Sequence, residues 1–416
     1  MEPVALAIVA GLTPPEWEIR LCDELQGDTP GDFRPDLVAL SSLTPTAPHA
    51  YEIARFWRSR GVPVVMGGMH ATLCPDEAAR YVDCVYCGEA EGAWPLLVRD
   101  FESGQLKPRY QAGAVPLGGM PLPRRDLYGR KYRVTLVGAS RGCRYRCEFC
   151  ALWKFEAGHY RTRPVEDVLA ELAVAPRGYI TLFTDDNVYL DREHCLRLHH
   201  AMVERGLQRR HAVQASIDIA DDDELLTALK ASGCLVVLIG LESLSEATLK
   251  RMRKGVNLGV GADHYAEKIE RLHSHGLMAA GTFIFASDGD GPDVFERTAA
   301  FVLDAGVDLA HFGLLVPTPG TDVFDRLQRE GRLLLDELPQ DYARLDPSRA
   351  AFRPEAMTPE QAEQGLVAAR GRISSWPVAL RRAGRTWHDT GSPAAALVSL
   401  LWTRTGLRGR VSGGKS

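Results

Sequence analysis

The chain has 416 residues, 45% of them apolar, and a formal net charge of −5. That is apolar material for two or three full cores, and the slightly acidic balance leaves no nucleic-acid footprint, so nucleic acid is not an expected partner. Nine cysteines, an odd number with three of them clustered, do not form the paired framework of a disulfide-stapled secreted domain.

The opening run, Met1-Glu-Pro-Val-Ala-Leu-Ala-Ile-Val-Ala-Gly11, is apolar but begins with an acid and has no basic segment, so it fails as a signal peptide. No run reaches the ~20 apolar residues of a membrane-spanning helix. Strand-like runs follow at 17–22, 36–40, 62–66 and 81–86, with helical patterns over 47–60 and 90–102. Strand–helix alternation predicts a parallel, Rossmann-like sheet over residues 1–106, with ligands outside the carboxyl ends of its strands. Two of those ends carry small residues, at Ser41-Ser42 and at Gly67-Gly68, where a bulky ligand can approach the backbone. His70 is read as a satisfied structural histidine. Cys22, Cys74, Cys84, Cys87, Cys195 and Cys234 are read as buried free thiols, which behave as small apolar residues.

Residues 107–132 are rich in proline and glycine and are read as a linker. From residue 133 the alternation resumes, with strands expected at 133–139, 179–184, 212–216, 235–239, 278–285 and 309–315. Helical patterns lie between them, as at 165–172, 221–231 and 294–305. Six β–α units over 133–330 predict a partial barrel, whose site lies at the strands' carboxyl ends. The first of those ends leads into Gly138-Ala-Ser-Arg-Gly-Cys-Arg-Tyr-Arg-Cys-Glu-Phe-Cys150. Cys143, Cys147 and Cys150 stand in a CxxxCxxC spacing, which can hold three irons of a [4Fe–4S] cluster and leave the fourth open to a small molecule. A structural zinc site would need a fourth ligand. Cys84 and Cys87 are the nominal second pair, but three apart in a strand they point to opposite faces.

Further strand ends carry polar groups: Thr184-Asp-Asp-Asn187, Gln214-Ala-Ser-Ile-Asp218 and Gly240-Leu-Glu-Ser243. Each alone reads as a helix N-cap, but three in succession on one rim favour a shared ligand. Residues 331–416 are expected to be helical with a basic tail. From Ala368 to Ser416 there are nine Lys/Arg and one acid, Asp389. The apolar run Ala394–Trp402 followed by Arg404, Arg408 and Arg410 is either a helix packed on the barrel or an amphipathic element at a membrane surface. Gly413-Gly-Lys-Ser416 has the end of a phosphate loop without its helix and is discounted.

The cysteine spacing with Phe149 before the last cysteine resembles the signature of the radical S-adenosylmethionine superfamily. Thr184-Asp-Asp-Asn187, Gly240-Leu-Glu-Ser243, Phe283-Ile-Phe-Ala-Ser-Asp288 and Val316-Pro-Thr-Pro-Gly-Thr321 are similar to its core, most of all in the branch with hopanoid methylases. Pro35-Asp-Leu-Val-Ala-Leu-Ser-Ser-Leu-Thr44, Val64-Val-Met-Gly-Gly-Met-His-Ala-Thr72 and Gly88-Glu-Ala-Glu91 resemble the cobalamin-binding-like domain that precedes many such enzymes. The likeness spans roughly residues 30 to 365. It departs from the family in lacking the first strand of that domain and any Asp-x-His-x-x-Gly motif, which sets the cobalamin assignment against a scaffold that kept the fold and lost the cofactor.

The resemblance implies that the open iron binds the amino and carboxylate groups of S-adenosylmethionine. Thr184, Asp185, Asp186 and Asn187 would then contact the methionyl amino group, Gln214 and Ser216 the ribose, and Glu242 the adenosine side. Arg163 or Lys254 would meet the carboxylate, and Ser42, Gly67 and Gly68 would cradle a cobalamin tail. It implies a cytoplasmic enzyme that takes an electron from a flavodoxin or ferredoxin and reductively cleaves S-adenosylmethionine to start radical chemistry on a natural-product or lipid substrate. With cobalamin bound, the expected outcome is methyl transfer. The alternatives are a cobalamin-independent rearrangement or transfer of the 3-amino-3-carboxypropyl group, and a non-enzymatic iron–sulfur or zinc sensor. The catalytic residue is not identifiable from the sequence.

Overall fold

Two parallel sheets organise the computed structural model, which describes residues 1–155 and 158–405. The first is built from β1 (Val38–Ser41), β2 (Val64–Gly67), β3 (Cys84–Cys87) and β4 (Arg109–Gln111), in the order 1-2-3-4 with every neighbour parallel. Side chains alternate across it as strand geometry requires. Val64, Met66, Val85 and Cys87 pack with the helix Ala47–Arg58, whereas Val65, Cys84 and Tyr86 pack with the helix Ala90–Glu102 on the other face. Cys84 and Cys87 are therefore both buried and back to back, as their spacing requires.

The Ala47–Arg58 helix shows why these segments fold as they do. Ala47, Ala50, Tyr51, Ala54 and Trp57 recur at helical spacing and are all buried, and Pro48 sits in the first turn, where its missing N–H costs nothing.

After β5 (Val134–Val137), a short antiparallel ladder of β6 (Ser140–Arg141) and β7 (Arg161–Thr162) brackets the cysteine loop. Then come β8 (Ile180–Phe183), β9 (His211–Ala215), β10 (Cys234–Glu242), β11 (Met278–Phe285) and β12 (Leu309–Leu314). They pair in parallel in the order 12-11-10-9-8-5, the six-stranded open barrel that the alternation predicts. Its largest core lies between the strands and their surrounding helices. A second, smaller core fills the lumen at the strands' amino ends, where Ala395 and Val398 of the helix Pro393–Thr405 meet Ala212, Val236, Met278, Ala280 and Leu309. Three helices, Pro359–Ser374, Trp376–Thr390 and Pro393–Thr405, form the C-terminal region. The first is opened by a capping box: the Thr358 hydroxyl accepts from Gln361 N, and Gln361 Oε1 accepts from Thr358 N.

Three expectations are corrected. No strand forms at 17–22: Trp17 instead lies against Phe101 and donates to Glu102, and the surrounding prolines and positive-φ glycines interrupt any ladder. (The apolar opening run, to which the residue pattern assigns no contrary structure, is a helix, Val4–Leu12, packed beside the Ala90–Glu102 helix.) The expected linker contributes β4 to the first sheet, so that sheet extends beyond residue 106. Finally, Cys22 and Cys74 are only half-buried. β1 pairs directly with β2. His70 is buried, with Nε2 2.7 Å from the Tyr51 hydroxyl and Nδ1 3.3 Å from that of Thr44, as a structural histidine should be. Arg408, Arg410 and Gly413–Ser416 lie outside the described residues.

Candidate functional site: a cysteine loop between two cavities

The cysteine loop leaves the carboxyl end of β5 and is held from three sides. At its base, Gly142 has φ of 90° and a Cβ there would lie 1.8 Å from the His159 carbonyl oxygen, so only glycine lets the loop close on itself. Its N–H donates to Asp186 Oδ2 at 2.9 Å. On the barrel side, Glu148 N donates to Met252 O, Val323 N donates to Glu148 O, and the Glu148 carboxylate accepts from Arg326 Nε at 2.6 Å. Arg326 also pairs with Asp288 just beyond β11, as does Arg332, so a buried ionic chain joins the cysteine loop to the opposite rim. On the side of the first sheet, Arg141 and Arg161 of the β6–β7 ladder donate to Glu89, and Arg141 also pairs with Glu91. Burial works against the Glu89 charge, but Arg161, the Val115 N–H and Arg141 hold its carboxyl down to about 2.

Cys143 and Cys150 are half-buried and Cys147 is buried. Burial pushes all three thiols up, Cys147 to about 11, while the nearby Lys254 ammonium works in the opposite direction. Among the described residues no three His, Cys, Asp or Glu side chains converge on a point a single ion could occupy. Three thiolates that each bind a different iron have no need to converge, so the donor set fits a cluster rather than one zinc ion.

Lys254 is the cation of the rim. Burial works against its charge, yet Glu242 beside it, with Nζ to Oε1 at 2.9 Å, and the neighbouring thiols keep it protonated. Glu242 ends β10 with φ of 61°, a left-handed conformation costly for a residue with a side chain. A Cβ on Gly240 would lie 2.3 Å from the Glu242 carboxylate and 2.7 Å from Lys254 Nζ, so the glycine makes the room for the pair. Thr282 Oγ1 donates to the other Glu242 oxygen at 3.3 Å.

The remaining predicted residues divide into ligand-facing positions and staples. Thr184 is exposed on the rim, and with Asp186 it lines a cavity. Asp185 is committed to the protein: its carboxylate accepts from Ala139 N at 3.1 Å and from the Ser140 hydroxyl, and burial raises it to about 6 against those bonds. Asn187 caps the following turn through Tyr189 N and also accepts from Ser216 N, and its amide donates to Ser216 Oγ. Gln214 donates to the Asp185 carbonyl. The predicted run therefore chiefly ties β5, β8 and β9 together. Arg163 is buried, paired with Glu171 and donating to the carbonyls of Gly138 and Asp167, but its Nε has no partner and it lines the same cavity as Thr184 and Asp186. Lys254 is a second cation at the rim.

Fit to a polar ligand is visible in buried oxygens that the protein does not satisfy. Asp218 Oδ1, just past β9, and Ser287 Oγ, just past β11, are buried with no hydrogen-bond partner. Sequence reasoning missed Ser287, the Glu148–Arg326–Asp288 chain and His311. His311 is the exposed residue in the otherwise buried β12, so it faces the barrel lumen, at the register of Thr282. Burial lowers its basicity, so the imidazole is neutral near pH 7. Its signal was legible: one polar residue at an inward position of an apolar strand.

At the first sheet, Ser41, Gly67, Gly68 and Gly88 line a cavity of about 830 Å³ roofed by Ala5, Leu6, Ile8 and Val9 of the N-terminal helix. A second cavity, of about 880 Å³, reaches the barrel rim at Thr184 and Asp186. Both are walled by Ile8, Arg141 and Phe155. Gly67 has room around it, with the nearest Cβ contact at 3.7 Å, as a cradle for a bulky group needs. Ser42 is buried and bonded to Leu43 O and Thr46, so of the predicted cradle the two glycines face the groove and Ser42 supports the turn. With His70 bonded elsewhere, the groove fits the tail of a cobalamin and offers no histidine to its metal.

Comparison with known proteins agrees with this arrangement. Residues 137–302 match the family described as Radical SAM superfamily, and residues 28–98 match the B12 binding domain. The chain is 28% identical over 394 residues to bacteriochlorophyllide d C-12(1)-methyltransferase of Chlorobaculum tepidum, covering 91% of this chain and 84% of that protein. It is 28% identical to the hopanoid C-2 methylase of Rhodopseudomonas palustris over 385 residues, covering 86% and 72%. Among solved structures, the radical S-adenosylmethionine methyltransferase TsrM from Kitasatospora setae, with cobalamin and a [4Fe–4S] cluster bound, superposes with a TM-score of 0.68 at 16% identity, covering 89% of this chain and 86% of that one. That likeness establishes a shared fold. With a B12 binding domain on the first sheet and the matched core on the second, the chain is an enzyme of the radical S-adenosylmethionine superfamily.

Proposed function

We propose that the chain is a cobalamin-dependent radical S-adenosylmethionine methyltransferase acting on a small-molecule substrate, a natural product or a lipid. One observation carries this reading: the glycine-lined groove of the B12 binding domain and the cavity at the barrel rim share walls supplied by Ile8, Arg141 and Phe155, the last two flanking the cysteines. A cofactor held in the first would face the reaction in the second. The relatives named above are methyltransferases, which favours methyl transfer over rearrangement or aminocarboxypropyl transfer.

In this reading Cys143, Cys147 and Cys150 hold the cluster. The cluster supplies one-electron reduction of S-adenosylmethionine, and cobalamin supplies a methyl carrier. The chain's own residues do the rest. Lys254, kept charged by Glu242, meets the methionyl carboxylate, and Thr184 and Asp186 stand at the amino side. Asp218 and Ser287 offer buried oxygens to the nucleoside, and the neutral His311 contacts the methyl acceptor from the lumen. The helix Pro393–Thr405 closes the barrel's far end and keeps water from the lumen. A flavodoxin or ferredoxin supplies the electron, the compartment is the cytoplasm, and a membrane surface is a second partner of the basic C-terminal region. Among the described residues no helix is long and apolar enough to cross a membrane.

Protein purified without oxygen in the presence of cobalamin should show a one-to-one corrinoid spectrum, and turnover should yield S-adenosylhomocysteine. Gly67→Leu, which places a side chain in a groove with room for it, should keep the cluster and lose the corrinoid by at least about tenfold in affinity. Absence of corrinoid from the unaltered protein would move the reaction to the cobalamin-independent alternatives.

A further inference from the structure

The six strands leave the barrel open between its two edges, β5 and β12. At the carboxyl rim that gap is bridged by the helix Asp322–Arg329, which follows β12 and is bonded to the cysteine loop that follows β5. This helix holds two segments at once. Its Val323 and Leu327 form an apolar core with Leu315 and Phe352, against which Phe149 of the cysteine loop and Ile284 of β11 both pack. Its Asp322 pairs with Lys154, just beyond the last cysteine, and with Arg253, the neighbour of Lys254.

Arg326 makes the polar half of the brace. One guanidinium reaches two carboxylates: Nε donates to Glu148 at 2.6 Å and Nη1 to Asp288 at 2.5 Å. Glu148 lies between Cys147 and Cys150, and Asp288 follows Ser287, whose buried hydroxyl has no partner. The turn that carries Ser287 is strained, with Ala286 at φ of 62°. Such a turn persists only where its surroundings hold it. Asp290 holds it by accepting from Ser287 N and Thr248, and the buried Asp288 holds it through Arg326 and Arg332. A lysine could not make the same bridge, because an ammonium is a compact point charge whereas the planar fork presents N–H groups in two fixed directions.

We propose that Arg326 is a positioning residue for S-adenosylmethionine: by holding Glu148 and Asp288 on one guanidinium, it fixes the span between the cysteine loop and the Ser287 turn. The methionyl end belongs to the first and the nucleoside to the second, so that span decides whether both ends are bound together. The inference rests on the reading that gives Ser287 to the nucleoside, and it involves neither cobalamin nor a methyl acceptor.

The test uses the full chain, reconstituted anaerobically, with S-adenosylmethionine as the probe. The readout is the change it causes in the electron paramagnetic resonance signal of the reduced cluster. Arg326→Lys keeps a cation and loses the bridge. Glu148→Ala cuts the bridge from the other end and leaves Arg326 on Asp288 and Glu330. Each variant should retain about four irons per chain, yet need at least about tenfold more S-adenosylmethionine for the same spectral change. The double variant should be no worse than the weaker single one, since both cut one link. Denaturant unfolding of the apo chains shows whether the variants are folded. An unchanged dependence in either folded variant, losses that multiply in the double one, or a loss of iron in place of affinity would overturn the proposal. Ser287→Ala separates it from the reading beneath it. Binding weakened by this change but not by the other two would keep the nucleoside assignment and overturn the positioning role. Binding that Ser287→Ala leaves unaltered would remove the nucleoside assignment, and the positioning role with it.

Discussion

The two sheets make their sites by opposite means. The barrel does it with side chains: Lys254 against Glu242, the unsatisfied oxygens of Asp218 and Ser287, and His311 open to the lumen. The first sheet does it by omitting them. Gly68 has φ of 89° with Ser41 Oγ 2.9 Å from where a Cβ would sit, and at Gly88 a Cβ would lie 2.1 Å from the Ala112 carbonyl oxygen. Its polar groups are spent on one another, as in the Tyr51–His70–Glu77–Tyr342 cluster. A site made of side chains selects by charge and hydrogen bonding, whereas a site made of missing side chains selects by shape. The Glu89–Arg141–Arg161 cluster joins the two.

The largest expected break falls on the barrel alone. Cys147→Ala should abolish the cluster, taking iron and sulfide from about four of each to background after anaerobic reconstitution, while the first sheet keeps its corrinoid. A variant that retains a full cluster and cleaves S-adenosylmethionine would show the three ligands to be misassigned.

Glu242→Ala leaves a buried ammonium without its counter-ion, which should cost about 3–5 kcal/mol of stability, beyond any loss of turnover. Denaturant unfolding of the apo protein measures it. A change below about 1 kcal/mol would mean that Lys254 has another partner.

Asp185→Ala should cost about 1–3 kcal/mol, because Ala139 N and the Ser140 hydroxyl lose their acceptor. A fall in S-adenosylmethionine affinity by calorimetry, at unchanged stability, would return Asp185 to the ligand-contacting set.

A further effect is one of pH. Burial raises the Asp290 carboxyl, against bonds from Thr248 and Ser287 N, to about 6. A carboxyl whose folded value lies above its unfolded value contributes stability below the unfolded value that is lost as pH rises through the folded one. Relative to Asp290→Asn, the unaltered protein should therefore lose roughly 2–3 kcal/mol between about pH 4 and pH 6. Parallel stability curves for the two proteins would contradict the assignment.

Much of this was legible in the residue order. Apolar alternation located all six barrel strands, since β-strand and helix periods differ in any context, and the cysteine spacing is local, so its chemistry needs no tertiary information. The Gly67-Gly68 turn was legible for the same reason, glycine being the residue that marks close backbone approach. The helix Val4–Leu12 was not: it is apolar on nearly every side, and no periodicity distinguishes it from a buried strand. Its role as roof of the groove depends on Glu2, whose carboxylate accepts from Arg125 and from Leu136 N, more than a hundred residues away.

What the sequence by itself determined was the inventory: three thiols on one loop, polar groups at successive strand ends, small residues at the turns of the first sheet, and a basic C-terminus. Only the tertiary structure decided which polar groups were free. Asp185 and Asn187 have the right chemistry for a ligand but are consumed by Ser140 and Ser216, while Asp218, Ser287 and His311 remain open. The physical reason is that hydrogen bonding is saturable and the buried partners lie up to 46 residues away. A residue's type fixes what it can bind, and the packing around it fixes whether that capacity is still available.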